Sequence, residues 1–226
     1  VMDRFYQGLH DLSVDPANPT SRAVVLQNSV AFAQTLNQMN NQFEKMVLDL
    51  NQEVEATVTD INAIADQIAK LNKQIYEVEA DGSKANDLRD ARNVLIDDLS
   101  KLIDIQVVNV VEPGAKFSKM NILVQGTALV GHDKTNKIDM VKNAEHPLTM
   151  DGQKLVNPVT GLPEPRGDLS TIKVTNIQWS TGAPINQDSL KGTLGGQLDQ
   201  RDNFEGSEKG VPYYIRMLNE FTTSFA

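Results

Sequence analysis

No cysteine occurs among the 226 residues, which removes disulfides, thiol catalysis and cysteine-ligated zinc together. Aromatic residues make up 5% of the chain, and Lys and Arg (21) fall short of Asp and Glu (30), for a formal net charge of −9. With no basic cluster and no basic face, neither nucleic acid nor an acidic membrane surface is an expected partner. No apolar run approaches a membrane span and no signal peptide is visible, so membrane insertion is not expected.

Sites with a local signature are also missing. His10, His132 and His146 are far apart and share no helical metal spacing, so each is expected to pack or sit at the surface. Gly192, Gly195 and Gly196 follow no apolar strand and lead to no Gly-Lys-Ser/Thr ending. They form neither a dinucleotide fingerprint nor a phosphate loop, and close helix packing or a tight helix start is the better account. No Gly-x-Ser-x-Gly elbow is present. No catalytic residue, cofactor or metal is therefore expected, and the chain does not read as an enzyme.

Between Thr20 and Asp81 there is neither glycine nor proline. Over that stretch an apolar residue recurs every three or four positions: Leu36, Met39, Phe43, Met46, Leu50, Val54, Val58, Ile61, Ala65, Ile68, Leu71, Ile75, Val78. This is one stripe on one face of an α-helix, with a stutter between Leu50 and Ile61. At 1.5 Å per residue the helix is a rod of about 90 Å. Asn18 followed by Pro19 is a good start, and Gly82 a good stop. A return helix follows, capped by Ser83 or Asn86, with the stripe Leu88, Ala91, Leu95, Leu99 and Leu102. It is too short to cover the rod. The core expected from these patterns is Leu36, Phe43, Leu50, Ile61, Ile68 and Ile75 against Leu88, Leu95 and Leu99.

Met2, Phe5, Leu9 and Leu12 are spaced for a short helix before the rod. After Leu102 the period falls to two. Strands are expected at Ile103–Val110 (with a bulge at Val107-Val108), at Met120–Val124, at Leu129-Val130, at Ile138–Met140, near Leu155 and at Ile172–Trp179, with a turn at Pro113-Gly114. Helical spacing returns from Ser189, and Pro212 opens a last helix with the stripe Tyr214, Met217, Phe221 and Phe225. The fold class is α+β: a long helical hairpin or bundle built from both ends of the chain (1–104 plus 185–226), with a small, mostly antiparallel β domain (105–184) inserted. The chain opens at Val1 and stops inside an apolar periodic run at Ala226, so it is expected to be a piece of something longer.

Four blocks carry a resemblance. They are Leu9-His10-Asp11-Leu12-Ser13 with Asp15-Pro16; Ile64 to Ile75; the return helix from Ala85-Asn86-Asp87-Leu88 to Leu99-Ser100-Lys101-Leu102; and Gly192-Thr193-Leu194-Gly195-Gly196-Gln197-Leu198-Asp199-Gln200-Arg201-Asp202. In this order and spacing they resemble the flagellar hook-associated protein 1 family of bacteria, the first hook-filament junction proteins. The likeness covers roughly half the chain and leaves the β region out.

The resemblance implies a structural subunit exported unfolded and built into the extracellular flagellum, as an adaptor ring between hook and filament. Implied partners are other copies of itself, the hook protein, the second junction protein, and an export chaperone acting through a C-terminal segment. In such a subunit exposed helix residues do the work, and Arg89, Asp90 and Arg92 are the candidate interface; a solvated, salt-bridged face accounts for the same charges. Two alternatives stand beside it: a surface-exposed, adhesin-type protein whose β domain holds a ligand, and another flagellar axial protein such as the second junction protein or flagellin.

Overall fold

The rod is α2, Pro19–Ala80, and it runs unbroken for 62 residues in a computed structural model that describes residues 1–80, 82–111, 118–145, 172–203 and 209–225. Asn18 Oδ1 accepts from the Thr20 amide at 2.9 Å, which supplies the side-chain cap that the first turn needs. Before it, α1 (Met2–Val14) folds back along the rod. Gly8 permits the approach: a Cβ there would stand 3.1 Å from Asn28 Nδ2, the group that donates to the Arg4 carbonyl at 2.9 Å.

The rod stops where Gly82 takes φ 83°, a left-handed turn that a side chain would resist. The return helix α3 is Asn86–Leu102. Its cap is neither Ser83 nor Asn86: the helix starts from Ala85 without a side-chain cap of its own. Glu79, in the last turn of the rod, reaches across instead, and its carboxylate takes the Ala85 amide together with Arg89.

Six strands follow. β1 (Gln106–Val110), β2 (Lys119–Val124), β3 (Thr127–Gly131) and β4 (Lys134–Thr135) form an antiparallel sheet in chain order, and β5 (Ile138–Glu145) pairs antiparallel with β6 (Lys173–Trp179). The expected bulge at Val107-Val108 is absent; β1 pairs in unbroken register, and the irregularity sits in β2 between Ile122 and Leu123. Gln125 and Gly126, both at positive φ, make the two-residue turn that closes the β2–β3 hairpin. The turn expected at Pro113-Gly114, the strand near Leu155 and His146 lie outside the described residues.

After a 3₁₀ turn at Gln187–Ser189, α4 (Gly192–Asp202) and α5 (Val211–Phe225) complete the chain. Gly195 lets α4 start tightly, since a Cβ there would fall 2.3 Å from the Leu190 carbonyl oxygen. The apolar stripe expected on α5 is displaced. Val211, Pro212, Ile215 and Leu218 are buried, while Tyr214, Met217 and Phe221 are exposed. Both sets have helical spacing, and the rod takes the one that meets Val47 and Leu50.

One cluster joins Val54, Ile61, Ile68 and Leu99 of the helices to Ile122, Leu129, Ile138 and Trp179 of the strands and to Leu194 and Leu198 of α4. The strands therefore bury their apolar faces against the rod rather than in a core of their own. Five of the nine expected core residues are buried: Leu50, Ile61, Ile68, Ile75 and Leu99. Leu36, Phe43, Leu88 and Leu95 are half-buried. Phe43 packs against the small cluster at α5, where Tyr214 stacks on it at 6.3 Å.

Candidate assembly surface

Along the rod the covering changes abruptly. Val47, Val54, Val58, Ile61, Ala65 and Ile68 are buried beneath sheets and helices. Toward the start of the rod, among the described residues, α1 and the end of α5 lie alongside. Of the 21 exposed large apolar side chains among the described residues, 14 belong to residues before Leu50 or to α5. Leu26 (67% exposed), Val30, Met46 and Leu48 of the rod, Tyr6 of α1, and Met217 of α5 are among them. The aromatic residues at this end hold the three helices together: Phe5 stacks on Phe32 at 5.7 Å, and Phe225 meets Phe32 at 5.1 Å and Phe5 at 5.3 Å. The end is thus an ordered bundle with apolar side chains turned outward, the pattern of a face shaped for another protein surface.

At the opposite end lie the three charged residues singled out in the sequence. Asp90 is exposed. Arg89 is half-open but engaged, donating through Nε and Nη2 to the two oxygens of Glu79 at 2.7 Å each. That ion pair and the Ala85 amide hold the Glu79 carboxyl below its usual range, against the opposing effect of burial. Arg92 is a correction: it is 7% exposed and cannot belong to an outer face. Its Nη1 donates to Asn72 Oδ1 at 2.8 Å. Burial foremost, then the neighbouring Arg89 charge, push its pKa down, while Glu79 opposes them. Arginine lies inward here because its partner stands on the rod, 20 residues back along the chain, where no local pattern could reveal it.

Sequence patterns also missed the residues that fasten the strands to the rod. Asn51 Oδ1 accepts from the Thr175 amide of β6 at 2.6 Å. Asn62 grips Ile138 of β5 twice, donating to its carbonyl at 2.8 Å and accepting from its amide at 2.9 Å. Asn72 donates to the His132 carbonyl at 2.8 Å. The three asparagines are spaced 11 and 10 residues apart, close to three helical turns. Glu55 and Asp66 add ion pairs to Lys142 and Lys137 at 2.9 and 2.8 Å. Hydrogen bonding holds both carboxyls below their usual range, with Thr175 the leading donor to Glu55 and Lys137 to Asp66.

His10 is exposed, and His132 lies edge-on to the Tyr76 ring at 5.5 Å. Among the described residues no three His, Asp or Glu side chains are placed to hold a metal ion, and no helix is long and apolar enough to cross a membrane.

Residues 1–226 match the family description of the flagellar hook-associated protein FlgK helical domain. Flagellar hook-associated protein 1 of Bacillus subtilis is 28% identical over 233 residues, covering 100% of this chain and 43% of its own length. The protein of that name from Salmonella typhimurium is 24% identical over 148 residues, covering 65% of this chain and 26% of its own. The chain thus spans less than half the length of these relatives. In fold it is similar to the flagellar hook junction protein FlgK of Burkholderia pseudomallei, with a TM-score of 0.64 at 22% identity over 86% of this chain and 31% of that one.

Proposed function

This chain belongs to the flagellar hook-associated protein FlgK family, and we propose on that footing that it is the helical-domain part of a structural subunit at a hook-filament junction. The subunit is exported unfolded and assembles outside the cell as an adaptor ring, contacting other copies of itself, the hook protein and the second junction protein. An export chaperone engages a C-terminal segment outside this chain. The work of such a subunit is done by packing surfaces, and the observation that carries this reading is the open apolar end formed by α1, the start of the rod and α5. An ordered bundle that leaves Leu26, Met46 and Met217 facing outward is stable and incomplete at once. Covering such a patch removes apolar area worth about 25 cal/mol per Å².

The test is rescue of a strain lacking its junction protein by the full-length protein carrying Leu26→Asp and Met217→Asp. Both side chains are exposed, so the helical circular dichroism of the purified variant should be unchanged. Filaments should be lost, with filament protein shed into the medium. Full rescue by a folded variant would remove this surface from the account.

A further inference from the structure

A buried guanidinium with an unused donor lies where the rod, the return helix and the first sheet meet. Arg92 is 7% exposed, and no described residue accepts from its Nε, which is itself buried. The side chain lines a cavity of about 100 Å³ whose walls include Glu79, Arg89, Tyr76, Asn109 and Met120. Two guanidinium groups face one carboxylate there, and that carboxylate is held by Arg89 through both oxygens. Among the described residues the cavity therefore carries one positive charge in excess, on a side chain whose burial already weighs against it. A guanidinium is a planar fork of donors that matches a planar pair of oxygens, and the volume admits a carboxylate head. The mouth is open, since the Arg89 side chain is 45% and Tyr76 42% exposed.

We propose that this cavity receives one carboxylate, presented by an acidic side chain of a second copy of this chain. A copy is the occupant that the charges favour. The net charge is −9, and the outer face of α3 presents Asp87, Asp90 and Asp97 exposed. A positive cavity on one face and acids on another make a head-to-tail contact, the kind that closes into a ring. The carboxylate chemistry stands on the cavity itself, and only its source rests on the junction reading.

The experiment takes the full-length protein with ¹⁵N in its arginine side chains. Sodium acetate is added, with sodium chloride at equal ionic strength as reference. One Nε–H resonance, identified as Arg92 by its loss in Arg92→Lys, is expected to move saturably at millimolar acetate, while that of Arg201 stays still. An Arg92 resonance that is visible and does not move overturns the cavity as a carboxylate site. Should Arg92→Lys fail to fold, Glu79→Gln removes the competing carboxylate and keeps both arginines; the half-effect concentration should fall severalfold, and no fall overturns the proposal equally.

The source is tested in flagellated cells with a photo-crosslinking residue at Asn109 of the full-length protein. An adduct between two copies is expected. Adducts only with other proteins, or none, overturn the second copy as source. The acetate measurement needs no flagellum, so its failure is distinct from failure of the junction reading, which the filament rescue measures.

Discussion

Arg201 Nη1 donates to Asn51 Oδ1 at 3.0 Å, joining α4 to the middle of the rod across 150 residues of chain. The same guanidinium donates to the Thr175 carbonyl at 2.9 Å and to both oxygens of Asp202 at 2.7 Å, and the side chain has no exposed surface. Asn51 in turn accepts from the Thr175 amide. Rod, strand and C-terminal arm are thereby fixed at one point inside the protein.

Removing that charge should be costly because its partners stay behind. Arg201→Met is expected to lower unfolding free energy by about 3–5 kcal/mol, the range for breaking a buried pair. Arg201→Met with Asp202→Leu should recover part of the loss. Urea denaturation of the three proteins measures both, and equal stability of single and double variants would contradict the pairing.

Asn62→Ala should cost about 1–3 kcal/mol, since it leaves the Ile138 amide and carbonyl without the side chain that meets them. Its effect should be local. Hydrogen exchange at the Ile138 amide should accelerate far more than exchange in α3, and uniform acceleration would mean that the clamp is not confined to β5.

The two neighbouring glycines of α4 should respond oppositely to alanine. A Cβ at Gly195 would meet the Leu190 carbonyl oxygen at 2.3 Å, so Gly195→Ala must move backbone, and the melting temperature should fall. A Cβ at Gly196 meets nothing within 4 Å. Gly196→Ala should therefore raise stability by up to about 1 kcal/mol through helix propensity.

Glu55, Asp66 and Glu79 all have folded-state pKa values below their ordinary ones. Each binds its proton less readily when folded, so its contribution is complete above the unfolded pKa and lost as pH falls through the folded one. Stability should therefore drop as pH is lowered through and below the ordinary carboxylate range. Glu79→Gln should flatten part of that drop in acid-titrated circular dichroism. An unchanged acid profile in Glu79→Gln would deny Glu79 its share.

The rod was legible because its signals repeat. Thirteen apolar positions recur at helical spacing, Asn18-Pro19 opens it and Gly82 closes it. Strands β1, β2, β3, β5 and β6 were legible for the same reason, in a period of two, while the two-residue β4 was not. Arg92 was not, because an arginine interleaved with aspartates on a short helix has the pattern of a solvated face, and its burial depends on Asn72. The asparagines of the rod were visible only as composition, since a side chain that binds backbone leaves no pattern in its partner. On α5 the two candidate stripes were equally periodic, and only the position of Val47 and Leu50 decides between them.

The small cluster of Val47, Leu50, Val174, Val211 and Ile215 also sets an order of events in time. Its first members emerge early in the chain and its last ones near the end, so its closure carries the entropy of a very long loop. Such distant contacts form slowly. However early the rod turns helical, this part of it stays unsealed until α5 docks.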